Sequence, residues 1–211
     1  MRPPDADFER IELTLCDGGD ACSLVADGTS RVTVRACVAE QVQDPLADVT
    51  LKLTLSAGTF VGPSEGSIAA QRCLDAVFTA PSSTQAVRID AALADFRQSL
   101  DVALAPAPLG PIELTPAPAA IAPGATNDLR VRVRATQGTP TAGTRVAARI
   151  AAQTPATPGV EIWPASTLAN ADGTATFSVY AGLGVTSVTY EVTATPPGGA
   201  AVSTTLVVPA R

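Results

Sequence analysis

The chain has 211 residues, enough for two domains of ordinary size that each bury a hydrophobic core. It is 46% hydrophobic and only 16% charged, which excludes a polyelectrolyte-like disordered chain. The net charge is −6, whereas a nucleic-acid-binding protein normally carries a basic excess, so we expect no nucleic-acid partner.

Alternating apolar residues predict β-strands throughout the first half. Three segments alternate between aliphatic and polar residues: Ile11–Leu15, Val32–Val38 and Val49–Leu55. Shorter runs of the same kind occur at 76–79, 86–89 and 100–104. Each pattern is typical of a strand with one face on a core and the other in water. Ala91–Ala94 is compatible with a helical turn, but Pro81 and the flanking alternation argue against a helix.

A proline-rich segment, 105–111, predicts the boundary between a first domain, 1–107, and a second domain, 108–211. Such a segment would act as a semi-rigid spacer. Alternation then resumes at 129–135, 146–150, 175–179 and 188–194, and a last strand runs through Leu206 and Val208. With 18 Pro and 16 Gly spread between these runs, the sequence predicts an all-β protein of two tandem immunoglobulin-like β-sandwich domains.

The two halves also resemble each other. Ile11–Thr14 and Ile112–Thr115 have the same sequence, 112 − 11 = 101 residues apart. Pro45–Val49 is echoed by Pro140–Thr144, 140 − 45 = 95 residues later. A period near one hundred residues indicates repeated globular domains, since solenoid repeats run roughly 20–50 residues.

Turn residues in both halves carry a further resemblance. The first half contains Ala26–Ser30, Pro45–Val49 and Gly58–Phe60, and the second contains Pro123–Ala125, Pro140–Gly143 and Asp172–Ala175. These motifs, at these positions relative to the strands, resemble the bacterial Ig-like domains of the invasin and intimin type. The second half departs where Pro123 replaces the first aspartate, and the first half lacks the Asp-Gly turn before its fifth strand.

The resemblance implies a bacterial surface or periplasmic protein, and the cysteines agree with export. All four lie in the first half: Cys16, Cys22, Cys37 and Cys73. An even number in one domain fits disulfides formed in an oxidising compartment, and the spacing contains no C-x2-C pair for zinc. We favour Cys16–Cys22 and Cys37–Cys73, with Cys16–Cys37 as the main rival pairing.

The rest of the chain agrees with an exported module. Met1–Asp5 lacks the apolar core of a signal peptide, so either the protein is cytosolic or, as we expect, a leader or lipid anchor has been removed. No stretch approaches the ~20 apolar residues of a membrane span.

Catalytic and metal chemistry find little support. Histidine is absent, which removes Ser-His-Asp and Cys-His pairs and His-ligated metals, so we expect no enzyme and no cofactor. Asp17 and Asp20 are the candidate calcium ligands, in an acidic loop between two cysteines. No EF-hand-like spacing is present, and capping of local turns explains these residues better.

Two surface features are candidate partner contacts. Arg130, Arg132 and Arg134 form an outward stripe on one strand, either a charged face that protects a sheet edge or a docking surface. Trp163 is the only tryptophan and should face outward at a strand end, as a cap or a contact with a protein or glycan. Tyr190 is expected to be structural because it lies in the penultimate strand.

The sequence therefore predicts a non-catalytic spacer or adhesion stalk of an exported protein. The alternatives are a protein- or glycan-recognition module, or accessory domains of a secreted enzyme.

Overall fold

A computed structural model describes residues 11–15, 24–38, 50–68, 72–115, 120–157 and 159–211. These residues form strands and turns and contain no helix, so none is available to cross a membrane. The chain divides into two compact units: Met1–Pro81 with Gln85–Leu104, and Ser82–Thr84 with Ala105–Arg211.

The first unit is a sandwich of two antiparallel sheets. Its strands are β1 (Ile11–Leu15), β2 (Leu24–Ala26), β3 (Arg31–Val38), β4 (Thr50–Leu55), β5 (Thr59–Val61), β6 (Glu65–Ser67), β7 (Cys73–Thr79), β8 (Val87–Leu93) and β9 (Phe96–Val102). The four-stranded sheets have the orders β1-β3-β7-β5 and β6-β4-β8-β9. The next strand, β10 (Leu104–Pro106), begins at the last residue of this unit and continues into the second.

The second unit has the same architecture. Its strands are β11 (Leu109–Leu114), β12 (Thr126–Ala135), β13 (Arg145–Thr154), β14 (Val160–Trp163), β15 (Ser166–Leu168), β16 (Thr174–Ala181), β17 (Ser187–Thr195) and β18 (Val202–Pro209). The sheet orders are β11-β12-β16-β14 and β15-β13-β17-β18. Each strand thus occupies the place of its counterpart in the first unit, which confirms the prediction of an all-β, immunoglobulin-like fold.

The alternation of apolar and polar residues places one face of a strand on the core, as the sequence predicted. Along β3, Val32, Val34, Ala36 and Val38 are buried, while the residues between them are partly exposed. A strand with this period buries one face at roughly 25 cal/mol per Å² of apolar surface. Each unit has its own core, and Phe78 and Phe177 are the fully buried phenylalanines of the two cores.

Of two segments that the sequence left in question, one follows the prediction and one differs from it. β8 continues through Leu93 and turns at Ala94, whose φ is 50°, so no helix forms at 91–94, as the flanking alternation indicated. The expected proline-rich spacer is largely strand, because Leu104–Pro106 is β10 and Leu109–Leu114 is β11. Pro111 is compatible with β11 because that strand lies at the edge of its sheet.

The turn before β3 is held by a buried carboxylate. Asp27 is 1% exposed, and it accepts hydrogen bonds from Thr29 N at 2.7 Å, Ser30 N at 2.6 Å and Ser30 Oγ at 2.8 Å. Burial raises the pKa of Asp27, but the hydrogen bonds from Ser30 and Thr29 outweigh it and hold the pKa below its usual range. The ionised side chain therefore stabilises the turn that feeds β3 into the sheet.

Replacing Asp27 with alanine should lower the free energy of unfolding of the first unit by about 2–3 kcal/mol at pH 7, because two backbone amides lose their acceptor. Asp27→Asn is the matched control, since its Oδ1 still accepts from both amides. Because the folded pKa is lowered, the advantage of aspartate over asparagine is full above the unfolded value of about 3.9 and shrinks as pH falls through the folded value. Denaturant unfolding followed by circular dichroism at pH 7 and pH 3 measures this; equal stability of the alanine variant and the parent would contradict it.

In the second unit, the equivalent turn is held by a side chain of the strand that follows it. Asn127 accepts from Ala122 N at 2.8 Å and donates to Ala122 O at 3.1 Å and Ala125 O at 2.9 Å. Asn127 takes the strand position that Val32 has in the first unit, since these residues pair with Val179 and Phe78 respectively. An amide that reaches back from the strand thus replaces the aspartate that the second half lacks.

Tyr190 is the largest fully buried side chain of the second core, and its hydroxyl has no hydrogen-bond partner among the described residues. Burial raises the pKa of this phenol well above its usual range. Tyr190→Phe should leave the second unit equally stable or about 1 kcal/mol more stable, because the substitution removes a buried unsatisfied group. The shift of the Trp163 fluorescence transition in urea measures this, and a loss above about 1 kcal/mol would reveal a partner for the hydroxyl.

Candidate functional site

The candidate partner contacts of the second unit share one surface, the solvent-facing side of the β11-β12-β16-β14 sheet, which we call the outer face. Along β12, Leu129, Val131 and Val133 are buried, so the arginines between them point outward. Arg130, Arg132 and Arg134 therefore form the stripe that the sequence predicted.

The arginine stripe does not protect a sheet edge. β12 lies between β11 and β16, so the prediction of edge protection is wrong. Two arginines instead pair with carboxylates of the same face: Arg134 Nε lies 3.1 Å from Glu113, and Arg130 lies 3.4 Å from Asp128. Exposed pairs of this kind contribute about 0–1 kcal/mol, so they balance charge more than they stabilise the fold.

Arg132 has no ion pair among the described residues. The pKa of Asp172 is lowered chiefly by the hydrogen bond from Thr174 N. Two of the three positive charges of the stripe are thus offset by neighbouring carboxylates.

Trp163 lies at the end of β14, the edge strand on the opposite side of the same sheet. Val160 and Ile162 are half-buried and Trp163 is 43% exposed, so the indole faces outward as predicted. Tyr180, on the neighbouring β16, is also exposed, at 38%. Sequence analysis did not single out Tyr180, although its alternation with Phe177 and Val179 placed it on the outer face.

These aromatic residues are neighbours across strands. Trp163 pairs with Ser178, and Glu161 pairs with Tyr180. Trp163 and Tyr180 are therefore diagonal neighbours, about 7–8 Å apart between backbones and within reach of large side chains. On the opposite side of β16, Asp128 of β12 also pairs with Ser178. We call these four outward-facing residues the aromatic–acidic corner: Asp128, Glu161, Trp163 and Tyr180.

The corresponding sheet of the first unit allows a row-by-row comparison. There Glu12, Cys37 and Cys73 form one row, and Glu113, Arg132 and Thr174 form its counterpart. Following the registers, the positions of Asp128, Glu161, Trp163 and Tyr180 are occupied in the first unit by Thr33, Thr59, Val61 and Thr79. The fold therefore does not require aromatic or acidic residues at this corner.

The first unit has a covalent link on its equivalent face. A disulfide joins Cys37 of β3 to Cys73 of β7 across a sequence separation of 36 residues, the pairing that the sequence favoured. In the next row, Arg35 makes two hydrogen bonds to Asp75, at 2.8 and 2.9 Å. These bonds hold the pKa of Asp75 below its usual range.

The remaining candidates, Cys16, Cys22, Asp17 and Asp20, lie outside the described residues. Within the described ranges, no group of three or more His, Cys, Asp or Glu side chains is placed to hold a metal ion. The calcium and Cys16–Cys22 hypotheses remain predictions.

Comparison with known proteins places the fold. No family model and no curated protein matches the sequence. Among solved structures, the Yersinia pseudotuberculosis adhesin InvE aligns with 94% of this chain at 18% identity and a TM-score of 0.54. Invasin, a bacterial integrin-binding protein, aligns with 94% at 20% identity and a TM-score of 0.62.

The aligned region makes up 58% of the InvE chain and 38% of the invasin chain, so this chain spans only part of either protein. Because the alignment covers nearly all of this chain, the similarity extends over both units. The chain thus has the fold of the bacterial immunoglobulin-like domains of invasin and InvE, the type that its turn residues resemble.

Proposed function

We propose that the chain is a non-catalytic spacer or adhesion module of an exported bacterial surface or periplasmic protein, with domains at 1–107 and 108–211. The observation that carries this proposal is the alignment of 94% of the chain, across both units, with InvE and invasin. The first of these proteins is an adhesin and the second binds integrin.

The architecture suits a mechanical role. Each unit closes its own core between two antiparallel sheets, so each can resist unfolding without help from the other. The disulfide between β3 and β7 adds a covalent tie to the first unit, and an oxidising compartment preserves such a bond.

A second candidate function is recognition of a partner by the second unit. It is favoured by the aromatic–acidic corner, because exposed tryptophan and tyrosine side chains are common anchors of interfaces.

Surface location tests the primary proposal. Intact cells of the source organism are treated with an external protease, and the chain is followed with an antibody and by non-reducing mass spectrometry. We expect degradation in intact cells or after outer-membrane permeabilisation, with Cys37 and Cys73 oxidised. A chain that is protected until the cytoplasm is opened, with free thiols, would contradict export.

A further inference from the structure

We infer that the aromatic–acidic corner of the second unit is a docking site for a protein partner that presents a lysine or arginine side chain. This inference extends the proposed function from spacing to recognition. It rests on the exposure of two aromatic residues, the charge beside them and the comparison between the two units.

The exposed aromatic residues provide the binding surface. Trp163 and Tyr180 are 43% and 38% exposed on the outer face, and the sheet register makes them diagonal neighbours on adjacent strands. The face of an indole or phenol ring attracts a cation, by about 0.5–1 kcal/mol at exposed sites and more when water is excluded. Two such rings on adjacent strands offer a surface on which the alkyl stem and charged head of a basic side chain pack together.

The carboxylates at this corner favour a positively charged ligand. Glu161 lies directly opposite Tyr180, and no cation among the described residues pairs with it. Within the described part of the chain, Asp128 has a single 3.4 Å pair with Arg130, which lies opposite Thr176, one row further from Tyr180. Arg130 and Arg134 are matched by Asp128 and Glu113, and Arg132 lies opposite Thr174, two rows of the face away from Trp163 and Ser178. Among the described residues, Glu161 is therefore the carboxylate without an ion pair beside the rings.

Comparison with the first unit indicates that the fold does not require aromatic and acidic residues at these four positions. Thr33, Thr59, Val61 and Thr79 occupy the same four positions in a sheet of the same order. Side chains of this kind are ordinary for the exposed face of a sheet. An aromatic and acidic replacement at all four positions of one corner creates a surface for a cation and leaves the fold unchanged.

A titration with defined peptides tests the inference on the full chain. Trp163 is the only tryptophan, so its fluorescence reports on this corner alone. We expect hexalysine to change that fluorescence saturably, whereas hexaglutamate and the neutral sugar maltohexaose should not. Binding should weaken as salt rises, because an exposed charge is screened.

Variants separate this site from the general negative charge of the protein. Glu161→Gln should weaken hexalysine binding about tenfold, and Trp163→Val with Tyr180→Thr should do the same by calorimetry, since these substitutions restore the residues of the first unit. Glu65→Gln removes the same charge from the first unit and should change the affinity less than twofold.

The inference is overturned if hexalysine gives no saturable change, if Glu65→Gln weakens binding as much as Glu161→Gln, or if hexaglutamate or maltohexaose binds more tightly than hexalysine. Any of these results leaves the surface-location experiment untouched, so the docking site and the proposed function fail separately.

Discussion

Gly173→Ala should lower the free energy of unfolding of the second unit by roughly 2–5 kcal/mol. Gly173 has a φ of 81°, a region that costs a residue with a Cβ about 1–2 kcal/mol. A Cβ at this position would lie 2.2 Å from the carbonyl oxygen of Val133 and 3.1 Å from Pro140 Cγ. The oxygen belongs to the backbone of β12, so the turn must move.

That movement disturbs the bond between the turn and the strand. Val133 N donates to Gly173 O at 2.9 Å, and Gly173 N donates to Asn170 O at 2.9 Å. Gly198→Ala is the matched control in the same unit, since Gly198 has a φ of 70° and no atom within 4 Å of the added Cβ. We expect only the conformational cost there, about 1–2 kcal/mol. Trp163 fluorescence in urea measures both variants, and equal losses would contradict the steric explanation.

Loss of the disulfide is the second large effect. Cys37→Ser with Cys73→Ser should destabilise the first unit by about 3–4 kcal/mol, the loop-closure value for 36 residues. Trp163 and both tyrosines lie in the second unit, so circular dichroism reports unfolding of both units and fluorescence reports the second unit alone. We expect the first transition to move to lower urea and the fluorescence transition to stay in place; an unchanged first transition would contradict this effect.

The second unit offers the reciprocal variant. Arg132 and Thr174 pair across β12 and β16 in the row that corresponds to Cys37 and Cys73. Arg132→Cys with Thr174→Cys closes a loop of 174 − 132 = 42 residues, and once oxidised it should stabilise the second unit by up to about 3–4 kcal/mol. A bond that fails to form would show that the two rows are not equivalent.

The long strands could be predicted from the sequence because burial leaves a period of two. In β3 and β12 each inward residue is aliphatic, apart from Asn127 at the start of β12, and the alternation is easily read. The strands β5, β6, β14 and β15 have only three or four residues, too few for a period to stand out. These short strands form because they pair with strands elsewhere in the chain, and a local sequence pattern does not reveal which strands will pair.

Only part of the candidate site could be predicted from the sequence, for a related reason. Trp163 and the arginine stripe stood out by residue type, whereas the corner depends on which strands are neighbours. Tyr180 and Glu161 meet through the pairing of β14 with β16, and these two strands are separated in the chain by β15. The role of Asn127 was hidden similarly, because its inward strand position is typical of a core residue while its amide binds the preceding turn.

Pulling the chain from its two ends in a single-molecule force experiment tests most directly whether each half is a sandwich that bears tension on its own. We predict two separate unfolding events. In Cys37→Ser/Cys73→Ser, one event should lengthen by about 130 Å, the extended length of the 36 residues that the disulfide encloses, while the other keeps its length. A single event for the whole chain, or a change of length in both events, would contradict the account.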